Sequence, residues 1–243
     1  MKPERLKVRH SKNARERWWL YERRRPELYS TIADMDRVLV VALVSRTIMP
    51  VAVPTGQTFS HMLGVFASPD PAHAALLSSG VHQAWAIARG SSLKGDLRYT
   101  PSDVYETLPQ PQATGRMKSA GQALEKMRDV IMMERKVGLT RLYSLFHDAS
   151  VRDSDIAALR DVHREIDEAV MEAYGWQDLN LSCEFYSTRQ GERFTVAPPV
   201  RSEILDRLLE LNHACHRAES HTPPSVTKAS KIAGQGGTGD VLF

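Results

Sequence analysis

The spacing of hydrophobic residues divides the chain into a strand-rich part and a helical part. A run of seven apolar and mostly β-branched residues, 38–44, predicts a strand that is covered on both faces. From 71 to 88 the apolar residues recur at helical spacing, which predicts a helix that ends at Gly90. The segment 89–100 is rich in glycine and serine, and we expect it to form a loop.

The rest of the folded chain is predicted to be mainly helical. Stripes of apolar residues spaced three or four apart predict helices over 118–137, 153–174 and 201–219, and a short hairpin is predicted within 182–197. The fold class is therefore α+β, a mixed α/β domain followed by a helical domain. The predicted organisation is a basic flexible arm at 1–13, a mixed α/β domain at 14–112, a helical C-terminal domain at 113–219 and a disordered tail at 220–243.

The charge is unevenly distributed along the chain. Residues 1–25 contain ten Lys and Arg but three Asp and Glu, a net charge of +7. The other residues contain 22 basic and 26 acidic side chains, a net charge of −4. A cationic arm on a mildly acidic body favours a polyanionic partner such as DNA, although a solvated leader has the same composition.

The sequence lacks the motifs of an enzyme. It has no Gly-rich cofactor turn, no Walker loop, no nucleophile elbow and no Asn-Pro-Pro-aromatic loop. Asp129 with Glu134 and Lys136 formally matches a nuclease pattern, but all three fall in a predicted helix, where a solvated face is the better interpretation. Cys215 and its two neighbouring histidines lack a second pair of ligands for zinc. We therefore expect no catalytic residue, no cofactor and no metal in this chain.

Polar residues beside the predicted strands are the best candidates for DNA binding. Arginine can fork onto guanine, glutamine onto adenine, and lysine, serine or backbone N–H groups can bind phosphate. The alternative is that these are ordinary polar surface loops. The predicted DNA-binding residues are Arg46, Gln57, Arg89, Ser91, Lys94 and Arg98. Trp18, Trp85 and Tyr99 are assigned to the core rather than to base stacking.

Composition also limits the location of the protein. The longest apolar run has seven residues, so no membrane span is predicted, and the polar N-terminus does not have the pattern of a secretory signal. Two cysteines do not make a disulfide framework, and a cytoplasmic location is the simpler expectation.

Several short segments of the sequence, taken in their order along the chain, resemble one protein family. They are Trp18-Trp19-Leu20-Tyr21, Gly90-Ser91-Ser92-Leu93, Leu97-Arg98-Tyr99, Val104-Tyr105-Glu106-Thr107-Leu108-Pro109, Gly138-Leu139-Thr140-Arg141-Leu142-Tyr143 and Ala173-Tyr174-Gly175-Trp176. Together they resemble the C-terminal region of type IIG and IIL restriction–modification enzymes and related large adenine-specific DNA methyltransferases of phage-defence systems. The resemblance extends from about residue 13 to residue 219.

The resemblance implies sequence-specific recognition of double-stranded DNA, with residues 14–112 as the target recognition domain. In that family the recognition domain follows a methyltransferase core, which has no counterpart among these residues. We therefore expect a separate methyltransferase subunit or domain to bind S-adenosylmethionine and to carry out catalysis. The chain is then a separately encoded specificity piece or the remnant of a split or truncated gene.

A protein-interaction adaptor is the alternative from another functional class. The segment 148–172 contains eight acidic residues and three arginines, and such a surface is repelled by DNA. The helical half would then dock a protein, and the two functions are compatible in one chain.

Overall fold

The computed structural model describes residues 6–7, 12–19, 25–93, 95–221 and 241–242. Its elements in chain order are α1 (Lys12–Glu16), α2 (Pro26–Thr31), β1 (Arg37–Ala42), β2 (Val44–Ser45), β3 (Val51–Pro54), β4 (Leu63–Phe66), α3 (Pro71–Ser78), α4 (Gly80–Arg89), β5 (Ser91–Leu93), β6 (Asp96–Arg98), α5 (Pro101–Val104), α6 (Gly115–Arg135), α7 (Leu139–Phe146), α8 (Ser154–Tyr174), β7 (Glu184–Thr188), β8 (Gly191–Thr195), α9 (Pro198–His221) and β9 (Val241–Leu242). The chain is an α+β protein, as the sequence predicts. In the described residues no helix combines the length and the apolar character that a membrane crossing requires.

The predicted strand at 38–44 is divided between two sheets. Strand β1 lies in an antiparallel sheet of order β3-β1-β4-β9, and its four central residues are buried on both faces. The chain then leaves this sheet at Leu43, and β2 pairs with β6 in a second sheet of order β2-β6-β5. The division matters because it places residues 44–46 beside the 91–98 segment.

The segment 89–100 is not a loop, and this prediction is wrong. Strands β5 and β6 form an antiparallel hairpin in which Ser91 pairs with Arg98 and Leu93 pairs with Asp96. Gly95 has a φ of 89° at the turn, a conformation that side chains other than glycine rarely adopt.

The predicted helix at 71–88 is interrupted at Ser79. The Ser79 hydroxyl accepts a hydrogen bond from the His82 backbone N–H at 3.2 Å, so it caps a new helix, α4. Helix α4 ends at Gly90, as predicted. The break changes the direction of the chain before it enters the β5–β6 hairpin.

The helical half packs onto the strand-rich half in a shared core. A Cβ atom on Gly121 of α6 would lie 1.9 Å from the carbonyl oxygen of Pro71, the first residue of α3. The backbones of α3 and α6 are therefore so close at this point that only glycine fits at position 121. Trp85 of α4 and Leu124 of α6 belong to the same buried cluster as Ile204 of α9. The larger core cluster therefore contains residues from both sides of the division predicted at 112/113, and a smaller cluster around Leu28 and Val38 lies within the strand-rich half.

The predictions for the chain ends fall largely outside the described residues. Most of the arm at 1–13 and residues 222–240 of the tail are not described. Helix α9 continues to His221, and Val241–Leu242 pair with β4, so these parts of the predicted tail have regular structure. Trp85 and Tyr99 are buried as predicted, whereas Trp18 is only half-buried and lies edge-on to Trp19.

Candidate nucleic-acid interface

The three-stranded sheet β2-β6-β5 buries Leu97 on one face and exposes Arg98 on the other. Leu97 lies in register with Ser45 and Ser92, and its side chain is buried in the main core. Because side chains alternate along a strand, Arg98 points to the opposite face, and it is exposed there. Its neighbour in β5, Ser91, is exposed as well. The structure thus places Arg98 and Ser91 side by side on the open face of this sheet.

Arg46 lies on the same face, one position beyond β2. Its Nε atom donates a hydrogen bond to Asp96 Oδ1 at 3.3 Å. This contact continues the pairing of β2 with β6, in which the preceding residue, Ser45, lies opposite Leu97. The Arg46 side chain is 75% exposed, so most of the guanidinium remains available to a partner. We call the exposed surface formed by Arg46, Ser91, Asp96 and Arg98 the β-face.

Arg89 is exposed at the end of α4, directly before β5. Its guanidinium carbon lies 4.6 Å from the ring centre of Trp85, which is a cation–π contact. The Trp85 ring is buried, and its Nε1 donates to the Val104 carbonyl at 3.0 Å. A fixed aromatic ring therefore supports the Arg89 side chain near the edge of the β-face.

Two of the predicted residues are not joined to the β-face. Gln57 follows β3 in the other sheet, and its amide Nε2 donates back to the Pro54 carbonyl at 2.9 Å. This hydrogen bond stabilises a turn and occupies one of the two N–H donors of the amide. Lys94 lies outside the described residues.

A buried histidine and tyrosine fix the end of β6. His82 is fully buried, and burial lowers its pKa to about 4, so its ring is neutral. Its Nδ1 lies 2.8 Å from the Leu77 carbonyl, which only accepts, so Nδ1 donates there. Nε2 then accepts from the Tyr99 hydroxyl at 3.0 Å. The residue that directly follows Arg98 is thereby anchored in the core.

Sequence reasoning missed Arg193 of strand β8, which is a neighbour of the β-face. Burial lowers the pKa of Arg193, the positive charge of Arg46 lowers it further, and the carboxylate of Asp96 raises it. Phe194 and Thr195 of β8 line the same small cavity as Thr47 and Ile48, so this part of the β7–β8 hairpin lies near the segment that follows β2. The sequence near 182–197 predicts the hairpin itself. It contains no information about which part of the strand-rich half the hairpin lies near.

A buried polar network lies deeper between the two halves. Arg128 donates to the Pro50 carbonyl at 2.8 Å and to the Tyr143 hydroxyl, which in turn lies 2.8 Å from His163 Nε2. The adjoining cavity has a volume of about 30 Å³, which accommodates about one water molecule and no nucleobase. Within the described ranges no three His, Cys, Asp or Glu side chains are placed to hold a metal ion. The Arg128–Pro50 hydrogen bond joins the helical half to the strand-rich half.

Comparison with solved structures finds a related fold. No protein-family model and no curated protein sequence matches this chain. Among solved structures, the chain is similar to the Type IIL restriction-modification enzyme MmeI, whose structure contains DNA. The TM-score is 0.59 at 21% identity, over 89% of this chain and 25% of MmeI. The chain thus spans a quarter of the length of that enzyme and has a fold that occurs in a restriction–modification enzyme.

Proposed function

We propose that this chain is a sequence-specific double-stranded DNA recognition module of a restriction–modification or phage-defence methyltransferase system. The observation that carries the proposal is the β-face, where Arg46, Ser91 and Arg98 are exposed together on a sheet anchored in the core. The fold shared with DNA-bound MmeI supports the same function.

The β-face has the chemistry for two kinds of contact with a duplex. Arg98 extends from a strand held on both sides, so its guanidinium can present two parallel N–H donors to the O6 and N7 acceptors of guanine. The Ser91 hydroxyl and the partly exposed Arg46 suit phosphate oxygens, which fix the register of the protein on the DNA. Base reading is assigned to Arg98, with Arg89 as a second reader at the edge.

Catalysis is assigned to a separate methyltransferase subunit or domain. That partner would bind S-adenosylmethionine and flip the target adenine into its own pocket, while this chain holds the flanking sequence. We expect the pure chain to transfer no labelled methyl group from S-adenosylmethionine to DNA and to leave DNA uncut. Methyl transfer by the pure chain would contradict this assignment.

The test is a binding selection on randomised duplexes with the full chain, alone and together with a methyltransferase that copurifies with it. Recognition predicts enrichment of one short sequence, in duplex DNA and not in a single-stranded pool of the same composition. If neither preparation enriches any sequence, the recognition module is the wrong function and an inactive remnant is the better account.

A protein-interaction adaptor is the second candidate, and one observation favours it. On the exposed side of α8, three glutamates at four-residue or shorter spacing surround Arg116 of α6, which bonds to all of them: Glu165, Glu168 and Glu172. One arginine leaves this surface acidic, so it would repel DNA and suits a basic protein surface. Capture of a methyltransferase by the chain with no duplex preference in the complex would favour the adaptor.

A further inference from the structure

A cavity of about 530 Å³ lies in the helical half, between the C-terminal part of α8 and the segment 176–183 that leads into β7. Its volume is within the range of about 300–1,000 Å³ that is typical of binding sites. Arg116 of α6 also lines it, whereas the four residues of the β-face do not. The cavity is therefore a second surface to which a partner of this chain can bind.

The lining of this cavity combines an apolar wall with an acidic rim. The wall contains Met171, Trp176, Leu179 and Leu181, and the rim contains the exposed side chains of Glu168, Glu172 and Glu184. Met171 and Trp176 are buried in the main core, so the wall has a fixed shape. A hydrocarbon stem that ends in a positive charge fits both parts of the lining at once.

The contacts of Arg116 show that the rim binds a guanidinium group. Its Nη1 donates to Glu172 Oε2 at 2.7 Å, and its Nη2 donates to Glu168 Oε2 at 2.8 Å. Among the described residues, the Oε1 atoms of these two glutamates accept no hydrogen bond. Each glutamate therefore keeps an acceptor for a second cation.

The rim continues into a longer acidic face of α8. The exposed acidic residues at spacings of three or four are Asp161, Glu165, Glu168 and Glu172. They lie on one side of the helix over a length of about 16 Å. Together with Glu184 they provide five carboxylates against the two guanidinium groups of Arg116 and Arg164, a net charge of −3. A face of this length suits a peptide segment with several basic residues.

We propose that this cavity docks a basic segment of the partner methyltransferase. A lysine or arginine of that segment lies along the apolar wall, and its charged end binds the rim glutamates. This inference rests on the proposed function, because it names the surface through which this chain meets its methyltransferase. The negative charge of the rim repels DNA, so protein and DNA bind to different surfaces of the chain.

The experiment measures the binding of a short peptide in which lysine alternates with alanine, labelled at one end with a fluorophore. The same peptide with acetylated lysines is the uncharged control. Fluorescence anisotropy measures the affinity of each peptide for the full chain. A carbodiimide then joins bound lysine amines to the carboxylates that they contact, and mass spectrometry identifies those carboxylates.

Two substitutions test the rim directly. Glu184→Gln, alone and combined with Glu168→Gln, removes rim charges, and Glu184 has no ion pair within the described part of the chain. Glu210→Gln is the matched control, since Glu210 is an exposed glutamate of α9 that does not line the cavity. We expect each rim substitution to weaken binding about 1.5- to 5-fold, and Glu210→Gln to match the parent. Thermal unfolding of each variant checks the fold.

Arg116→Gln tests the same contact in the opposite direction. It removes the cation that the chain itself places on the rim, so the lysine peptide should bind more tightly than to the parent. Arg135→Gln is its matched control, because it removes an equal charge that Asp153 and Asp155 hold at the other end of α8. We expect the gain in affinity to be larger for Arg116→Gln than for Arg135→Gln.

The crosslinks should be concentrated on Glu168, Glu172 and Glu184, and a methyltransferase that copurifies with the chain should displace the labelled peptide. Equal binding of the acetylated peptide, equal losses in Glu184→Gln and Glu210→Gln, or no displacement would overturn the docking cavity. The duplex selection is a separate measurement, so the recognition module would stand after that result. A chain that binds the peptide as expected but enriches no duplex, even with its methyltransferase, would overturn the recognition module and support the docking cavity.

Discussion

Asp167 Oδ1 of α8 lies 2.6 Å from the backbone nitrogen of Gly80, and the Gly80 N–H donates to it. This hydrogen bond joins the helical half to the first turn of α4, the helix that leads into the β-face. Cys183 Sγ donates to the other carboxylate oxygen at 3.6 Å. The carboxyl group is fully enclosed, and burial raises its pKa to about 7.

We predict that Asp167→Asn changes the pH dependence of stability. In the folded parent the carboxyl keeps its proton up to about pH 7, whereas in the unfolded chain it loses the proton near the ordinary value of 3.8. Parental stability therefore falls as pH rises from about 4 to 7, by up to about 1.4 kcal/mol per pH unit, and stays lower above pH 7. Asparagine does not ionise, and its carbonyl can still accept from Gly80.

Urea unfolding of parent and Asp167→Asn at a series of pH values measures this difference. The unfolding free energy of the variant should rise relative to that of the parent between pH 4 and 7 and then level off. A constant difference over this range would show that Asp167 does not titrate there.

The approach of α3 and α6 predicts a large effect of Gly121→Ala. The added methyl carbon would lie 1.9 Å from the Pro71 carbonyl oxygen. Because that oxygen belongs to the backbone and cannot rotate away like a side chain, the two helices must separate. We expect a loss of about 1–3 kcal/mol or more, as for other overpacked sites. Gly115→Ala, at the start of the same helix, adds a methyl group with nothing within 4 Å and is the matched control. Equal thermal unfolding of the two variants would contradict the close approach.

Buried histidines predict loss of stability in acid. Burial lowers the pKa of His73 and His82 to about 4 and that of His147 to about 3, below the ordinary 6.5. Below pH 6.5 the unfolded chain binds protons that the folded chain does not, so stability falls from there down to about pH 4. Each histidine contributes up to about 1.4 kcal/mol per pH unit, and together they outweigh the opposite effect of Asp167.

The acid effect is measured from urea midpoints at pH 7 and pH 5. The parent midpoint should be lower at pH 5 than at pH 7, and this drop should be smaller in His147→Leu. In the described structure neither ring nitrogen of His147 has a hydrogen-bond partner, so the substitution removes the titrating ring without breaking a hydrogen bond. His61→Leu changes an exposed histidine and should leave the drop as in the parent. Identical drops in all three proteins would rule out His147 as a contributor.

Helical periodicity in the sequence located most of the helical half. Residues 118–137, 153–174 and 201–219 correspond to α6, α8 and α9, because each helix buries one continuous stripe. The sequence predicts a loop in place of the β5–β6 hairpin because its strands have three residues each, and because β6 pairs with β2 about 50 residues earlier in the chain. The hydrophobic periodicity of a short stretch of sequence carries no information about a pairing between such distant segments.

The candidate site was predictable only in part for the same reason. Arg46, Ser91 and Arg98 are predicted from their chemistry and their position in polar loops, and the register places them on one face. The same reasoning predicts Gln57, but this residue follows a strand of the other sheet. Arg193 could not be predicted from local sequence, because packing between the two halves brings its strand near the segment that follows β2. Local chemistry selects residue types, and tertiary packing decides which of them meet.

Asp96 should restrain DNA binding by the β-face. Its carboxylate neutralises Arg46 and repels an approaching phosphate, so Asp96→Asn should increase affinity for duplexes of any sequence and steepen the salt dependence. Glu203→Gln removes one negative charge on α9 and serves as the control for net charge. Equal increases from both substitutions, measured by titration of one labelled duplex, would assign the effect to net charge alone.

The most direct test of the account is the ratio of affinities for the enriched duplex and for duplexes with each base pair changed in turn. Arg98→Ala should reduce this discrimination at one base pair by about 1–3 kcal/mol, or roughly 5- to 150-fold, and leave the other positions intact. Arg116→Gln, which removes an equal charge from among the glutamates of α8, should leave discrimination at every position as in the parent. An Arg98→Ala protein that discriminates like the parent at every base pair would contradict sequence reading by the β-face.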